Sequence, residues 1–318
     1  MQEHNNPKKI KHTGRVKQIG IYLGKFFRMF IYMDDWKVLP MAAVIAGLVS
    51  FVAGANIFKT MEGTTIGALA LSCVCIWNGC FNSIQVVCRE RDIVKREHRS
   101  GMHISSYVSA HVIYQAFLCL AQTIITIVVC SISGMAFPAQ GLLFPDFEFE
   151  IGITLFLITF ASDMMSLMIS CIARNTTAAM TIMPFMLIFE LLFSGSMFGS
   201  EGIIDKLSNL SIAKWGINCI CSQGNYNSLP MVSVWNQIFK FKDVEMYGMK
   251  PINDFVNYMY ENGSVEDFNL MIGQNAQNAK YLTSFGNIAN CWGSLIMFAA
   301  LFALIAVLVL ERIDKDKR

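Results

Sequence analysis

Six apolar runs, each close to 20 residues long, decide what this chain can fold into. They cover 39–57, 66–87, 110–132, 151–172, 178–198 and 288–310. Crossing a hydrocarbon core of about 30 Å takes about 20 helical residues. No water is available there, so each run must satisfy its own backbone N–H and C=O groups, as a helix does. The runs predict an all-α polytopic membrane protein with six transmembrane helices across 39–310. Only 15% of the residues are charged, against roughly 25% in soluble domains. That gap argues against a soluble globular enzyme.

Lys and Arg set the expected orientation. A basic tail at 1–17 and the segment after it carry Lys8, Lys9, Lys11, Arg15, Lys17, Lys25, Arg28 and Lys37. The connection between the second and third runs carries Arg89, Arg91, Lys95, Arg96 and Arg99, and the tail at 311–318 ends the chain with Arg312, Lys315, Lys317 and Arg318. Residues 134–150 have no Lys or Arg but hold Asp146, Glu148 and Glu150. The positive-inside rule puts both termini and the 88–106 block in the cytoplasm of a cell-membrane protein. Without a short apolar segment and small-residue cleavage site, the N-terminus is not expected to be a cleaved signal. Residues 18–38 mix apolar and basic side chains and predict an amphipathic helix on the inner membrane surface, with Lys25 and Arg28 toward the headgroups. Between the fifth and sixth runs, 199–287 is the longest connection. Its first part is apolar enough to re-enter the membrane, and 222–286 reads as an outward-facing subdomain.

Catalytic signatures are missing from these residues. There is no GxxxxGK[ST] phosphate loop and no HExxH or GxSxG. The five histidines form no ligand set, and the ten cysteines include no CxxC pair or zinc spacing. Cys219 and Cys221 are too close in sequence to meet disulfide geometry readily. No cofactor or metal is expected on this chain, and no nucleic acid as partner. Asp163 and Glu190 fall inside apolar runs, where ionisable groups are costly and functional by default. Asp163 is expected to hydrogen-bond within the bundle, and Glu190 to meet Lys214 or line a polar cavity.

Four motifs in order resemble the membrane domain of ABC exporters of the ABCG type, also called type V. An amphipathic helix ends in a charged turn, here Asp34-Asp35. The second run leads into Glu-x6-Glu-x3-Gly, here Glu90, Glu97 and Gly101. The fifth ends in Phe193-Ser194-Gly195, and Ser211-Ile212-Ala213-Lys214-Trp215 follows. The resemblance implies a permease subunit whose ATP and Mg sit on a nucleotide-binding ATPase partner, expected on a separate chain. A second membrane subunit, identical or related, would complete a dimer in the lipid bilayer.

The resemblance also implies roles for residues. Glu90, Arg91, Lys95, Arg96, Glu97, Arg99 and Gly101 would form a coupling helix that docks on the ATPase. Trp77, Asn78, Phe81, Pro184, Leu187, Ile188 and Leu191 would line the cargo path, and Ser196 and Met197 the outer gate. An apolar path suits an amphipathic, lipid-like or peptide cargo. Two other classes compete: a non-transporting scaffold using its extracytoplasmic loop, and a proton-coupled carrier using Glu190 or Asp163.

Overall fold

A computed structural model describes residues 13–33, 35–196, 202–245 and 250–313. Among these residues the chain is helical without strands. α1, Arg15–Tyr32, lies before the apolar runs. A 3-10 turn at Asp35–Lys37 leads into α2, Val38–Ala53. α3, Met61–Ser83, is followed after a short break by α4, Val86–Arg89, and α5, Arg91–Arg99. Two long helices come next, α6, Ile104–Ile132, and α7, Phe147–Ile172, followed by the shorter α8, Thr176–Leu192. After α9, Ile203–Ser208, comes α10, Ile212–Gln223. α11, Ser233–Lys240, α12, Pro251–Glu261, and α13, Val265–Asn275, precede α14, Phe285–Leu310.

Among the described residues, five helical stretches are long and apolar enough to cross a membrane: Asp35–Ala53, Met61–Arg89, Ile104–Ile132, Phe147–Ile172 and Phe285–Leu310. α8 is apolar but has only 17 residues, about 26 Å at 1.5 Å per residue. The fifth run was expected to extend to 198. The helix instead ends at Leu192, where the chain turns through Phe193, Ser194 and Gly195, with Gly195 at φ 79°. The third span begins six residues earlier than its apolar run because Ile104 and Tyr107 are buried and carry the helix onward. The first ends at Ala53 rather than near 57, since Ile57 and Phe58 fold back into the core.

α7 is the hub. Its apolar span is 72% buried, against 17% for that of α2 and 28% for that of α14. It packs against α3, α6, α10 and α14. The crossing with α3 is close because Gly79 has no side chain: a Cβ there would sit 2.3 Å from the Thr159 carbonyl oxygen and 2.8 Å from the Asp163 backbone nitrogen. Small residues at helix crossings let backbones approach inside a membrane, where the hydrophobic effect adds little between helices. α8 touches its neighbours over a small area and leaves Phe185 69% and Ile188 52% exposed. It also contains Pro184, which cannot donate a backbone hydrogen bond.

One end of the bundle carries α5 and the other carries α10 to α13. α10 enters the bundle between α3, α7, α8 and α14, and Ile212, Ala213, Ile217, Ile220 and Cys221 are buried. Ser211 caps it by accepting from the Lys214 backbone N–H. Within 222–286, expected from its composition only to face outward, the described residues are mostly helical. α11, α12 and α13 share a small core of Trp235, Val256 and Met259. Glu62, at the start of α3, ties this unit down by accepting from the backbone N–H groups of Val232 and Ser233 at 3.3 and 2.8 Å.

Candidate functional site

α5 has two faces. On the inward face, Val94 is buried, and α1 reaches across with Gln18, Tyr22 and Lys25. Their i, i+4, i+7 spacing puts them on one side of a helix. Tyr22 donates to Glu97 Oε2 at 2.9 Å and Lys25 Nζ to Glu90 Oε2 at 2.8 Å. Gln18 donates to the Gly101 carbonyl at 3.2 Å and accepts from the His103 N–H at 2.9 Å. Burial first, then the Glu97 carboxylate, push the Tyr22 phenol well above its ordinary pKa, so it stays a donor. Lys25 was expected to face lipid headgroups. It turns inward because Glu90 offers a carboxylate at contact distance, while the Arg28 Nε donates to the Gly24 carbonyl on its own exposed surface.

Arg91 fastens the start of α5 to the end of α7. Its Nη1 donates to the carbonyls of Cys171 and Ala173 at 2.8 and 3.0 Å. Helix C-termini leave such carbonyls without partners and carry partial negative charge, so a guanidinium suits the position. Ser170 of α7 accepts from the backbone N–H groups of Val87 and Cys88 at 3.1 and 3.2 Å. The far end of α5 stops at Gly101, φ 105°, which most side chains would strain. The Met102 N–H bonds the Glu97 carbonyl and the Gly101 N–H the His98 carbonyl, a Schellman closure. The outward face presents Asp92, Arg96 and Arg99, which with Lys95 and Ser100 line a shallow open depression. Of the seven residues expected on the coupling helix, Lys95, Arg96 and Arg99 line that depression. Glu90, Arg91, Glu97 and Gly101 hold the helix to the bundle.

α3 and α8 are neighbours. Trp77, Phe81, Pro184, Ile188 and Leu191 are exposed on them. Leu187 is half-buried against the core, and Asn78 is buried. Ser196 shares a 3.1 Å hydrogen bond with Ser194; Met197, like Asp34, lies outside the described residues.

The two intramembrane acids do different work. Glu190 is 3% exposed and holds the end of α8 to the start of α10. Its Oε2 accepts from Ser211 Oγ at 2.8 Å and from the Ala213 N–H at 2.9 Å. A carboxylate at a helix N-terminus meets orphan N–H groups and the positive end of the dipole. It does not meet Lys214, whose Nζ donates to Ser208 Oγ at 2.9 Å and Asn209 Oδ1 at 2.7 Å and lies 3.5 Å from Asp205. Asp163, fully buried, joins three helices. It accepts from Ser83 of α3 and, at 3.2 Å, from Cys119 of α6, and Asn82 Nδ2 lies 3.5 Å away. Asn82 and Gln122 exchange amide hydrogen bonds at 2.8 and 3.0 Å.

The latch formed by Gln18 and Tyr22 was not anticipated from the sequence, nor were Ser170, Asn82, Ser83 and Gln122. A signal existed for some of them. Polar amides at Asn82, Gln115 and Gln122 inside apolar runs, in a chain whose fourth run holds Asp163, are candidates for interhelical hydrogen bonds. No local pattern marks the partner of Ser170.

Similarity to known proteins bears on the same elements. The pattern describing ABC-2 type transporters matches residues 21–223, from within α1 to the last residue of α10. Over 146 residues the chain is 29% identical to a Mycobacterium tuberculosis (strain ATCC 25618 / H37Rv) protein named ABC transporter ATP-binding/permease protein Rv1747. That alignment covers 44% of this chain and 16% of the relative, so the chain spans only a small part of its length. Because the family pattern takes in more than half of the chain, including the latched α5 and the inserted α10, this multi-pass membrane protein belongs to the ABC-2 type transporter family and is a permease of an ABC transporter.

Proposed function

We propose that the chain is the permease of an ABCG-type exporter driven by an ATPase that docks on α5 at the cytoplasmic side, where both termini also lie. The carrying observation is the division of α5 into an inward face bonded to α1 and α7 and an outward face bearing Asp92, Arg96 and Arg99. A short helix held this way transmits displacement as a rigid body. A push on α5 reaches α7 through Arg91 and α1 through Glu97 and Glu90, so the bundle tilts with it.

The exposed strip of Trp77, Phe81, Pro184, Ile188 and Leu191 supports pairing with a second permease, identical or related. The cargo path lies between the two copies, and access alternates between the two sides as the ATPase cycles. Its apolar lining suits an amphipathic, lipid-like or peptide cargo. Ser196 and Met197 follow α8 at the exit. The relative's printed name joins ATP-binding and permease functions, which agrees with a permease that works beside an ATPase.

The test is co-purification from the native membrane in mild detergent. Wild type should bring down a nucleotide-binding ATPase. Arg96→Glu combined with Arg99→Glu should lose it, while the chain keeps its thermal melting profile. If no ATPase accompanies the wild type, the exporter reading fails. Transport that continues without ATP but stops on Asp163→Asn would favour a proton-coupled carrier instead.

A further inference from the structure

We propose that a cavity of about 230 Å³ beneath α1 binds the uncharged, hydroxyl-bearing head of an amphiphile. The cavity lies between α1 and the α3, α4 and α6 helices, away from Trp77, Ile188 and Leu191 of the strip assigned above to pairing. Phe81 belongs both to that strip and to the cavity wall, and at 48% exposed it connects the cavity with the surface of the chain.

Unused hydrogen-bonding groups on the cavity wall point to a ligand. His111 is 1% exposed and neither ring nitrogen meets a protein partner. Its ring is held instead by stacking on Phe26 at 3.9 Å and by the edge contact with Tyr107 at 4.7 Å. Gln115 is fully buried; its amide nitrogen is engaged by Ser83 at 2.7 Å, but its Oε1 has no partner. Both side chains line the cavity. Buried polar groups without partners are rare in folded proteins and ask for an explanation. A neutral imidazole offers one donor and one acceptor, and an amide oxygen accepts. A hydroxyl both donates and accepts, so one or two hydroxyls satisfy this set.

The rest of the wall selects against charge and for an apolar body. Phe26, Met29, Val38, Leu118 and Met180 line the cavity with apolar side chains, and Gln85 and Tyr114 add uncharged polar ones. The Asn82 amide, which also lines the cavity, is already engaged with Gln122. The charged wall residues, Arg89 and Asp35, lie 4.0 Å from one another and are both over 40% exposed. A ligand head next to His111 and Gln115 therefore meets no buried ion. Met180 belongs to α8, so an occupant touches a helix with few contacts to the bundle. A bilayer lipid and a cargo molecule could each supply this chemistry.

The probe is a photoreactive monoacylglycerol carrying a diazirine near its glycerol head, applied to the full chain in phosphatidylcholine nanodiscs without nucleotide. Wild type should be labelled on α1 or α6 peptides. His111→Phe with Gln115→Leu, which replaces the polar pair by apolar side chains, should cut that labelling at least tenfold. Leu118→Trp, which fills the cavity from its apolar side, should do the same and guards against misfolding of the double variant. Equal labelling of all three proteins, labelling confined to other helices, or no labelling above background would each overturn the proposal; the last would leave a cavity holding only water. Stronger labelling by a phosphatidylglycerol analogue would overturn the uncharged head. Because no nucleotide is involved, failure of the exporter reading leaves this result interpretable. Labelling that disappears when an ATP analogue and the ATPase are added identifies cargo, and labelling that persists identifies a resident lipid.

Discussion

α7 and α8 follow one another in the chain, and both are apolar, yet they occupy opposite positions in the bundle. α7 is enclosed by four helices, crosses α3 at backbone contact over Gly79, and holds Asp163 where α3 and α6 meet it. α8 is short, leaves Phe185 and Ile188 outside, and is secured at its far end through Glu190. The contrast separates a fixed axis from a surface element. Apolar content does not distinguish them; the number of polar and close backbone contacts does. In a membrane this matters more than in water, because lipid covers an exposed Ile as readily as a neighbouring helix does.

The largest expected effect is on the axis. Gly79→Leu places a side chain against the α7 backbone, which cannot yield as a flexible side chain would. It should cost about 3 kcal/mol or more, read as loss of the folded species in detergent gel filtration. Asp163→Ala should cost about 2–3 kcal/mol, since Ser83 and Cys119 lose their acceptor. Thermal melting in detergent checks it, and an unchanged midpoint would remove Asp163 from the axis. Glu190→Ala should cost about 2 kcal/mol locally, with faster hydrogen exchange in α10 and the end of α8 while α7 keeps its protection. Protection lost equally in α7 would erase the distinction between the two helices. Ile188→Ser should leave melting within about 0.5 kcal/mol of wild type but reduce cross-linked dimer in membranes. The smallest effect belongs to Asp205, whose exposed carboxyl is held below its ordinary pKa by the Lys280 hydrogen bond first and by Lys214. Its contribution is present above the unfolded carboxyl pKa and fades as pH falls through the lower folded value. Asp205→Asn should therefore differ from wild type at neutral pH and low salt, and converge with it in acid.

Most of the architecture was legible from the sequence because apolar length is a local property. The six runs locate the spanning helices, with shifts where Ile104 and Tyr107 extend a helix or where Ile57 and Phe58 leave one. The charged block at 88–106 resolved into the end of α4, the whole of α5 and the start of α6. The inward half of the site was not legible. Glu90 and Glu97 were expected to face an ATPase partner, and nothing within a few residues of them shows that Lys25 and Tyr22, 65 and 75 positions away, compete for the same carboxylates. Glu190 illustrates the same limit. Lys214 is the obvious counter-charge in sequence, but the backbone N–H of Ala213 and the Ser211 hydroxyl are better placed, and backbone groups leave no trace in residue identity.

The length of α8 has a consequence outside the protein. At 17 residues it falls short of an average hydrocarbon thickness of about 30 Å, whereas the outer helices α6 and α14, at 29 and 26 residues, do not. Lipid that meets α8 beside the pairing strip, at Phe185 and Leu192, must thin while lipid around α6 and α14 need not. Such mismatch costs a fraction of a kcal/mol per Å, enough to favour one tilt of a loosely held helix over another. Acyl-chain length then acts as an external setting on α8. Reconstitution in a series of phosphatidylcholines from 14 to 20 carbons should show an optimum on the thin side, and the membrane in which this chain resides becomes part of its mechanics.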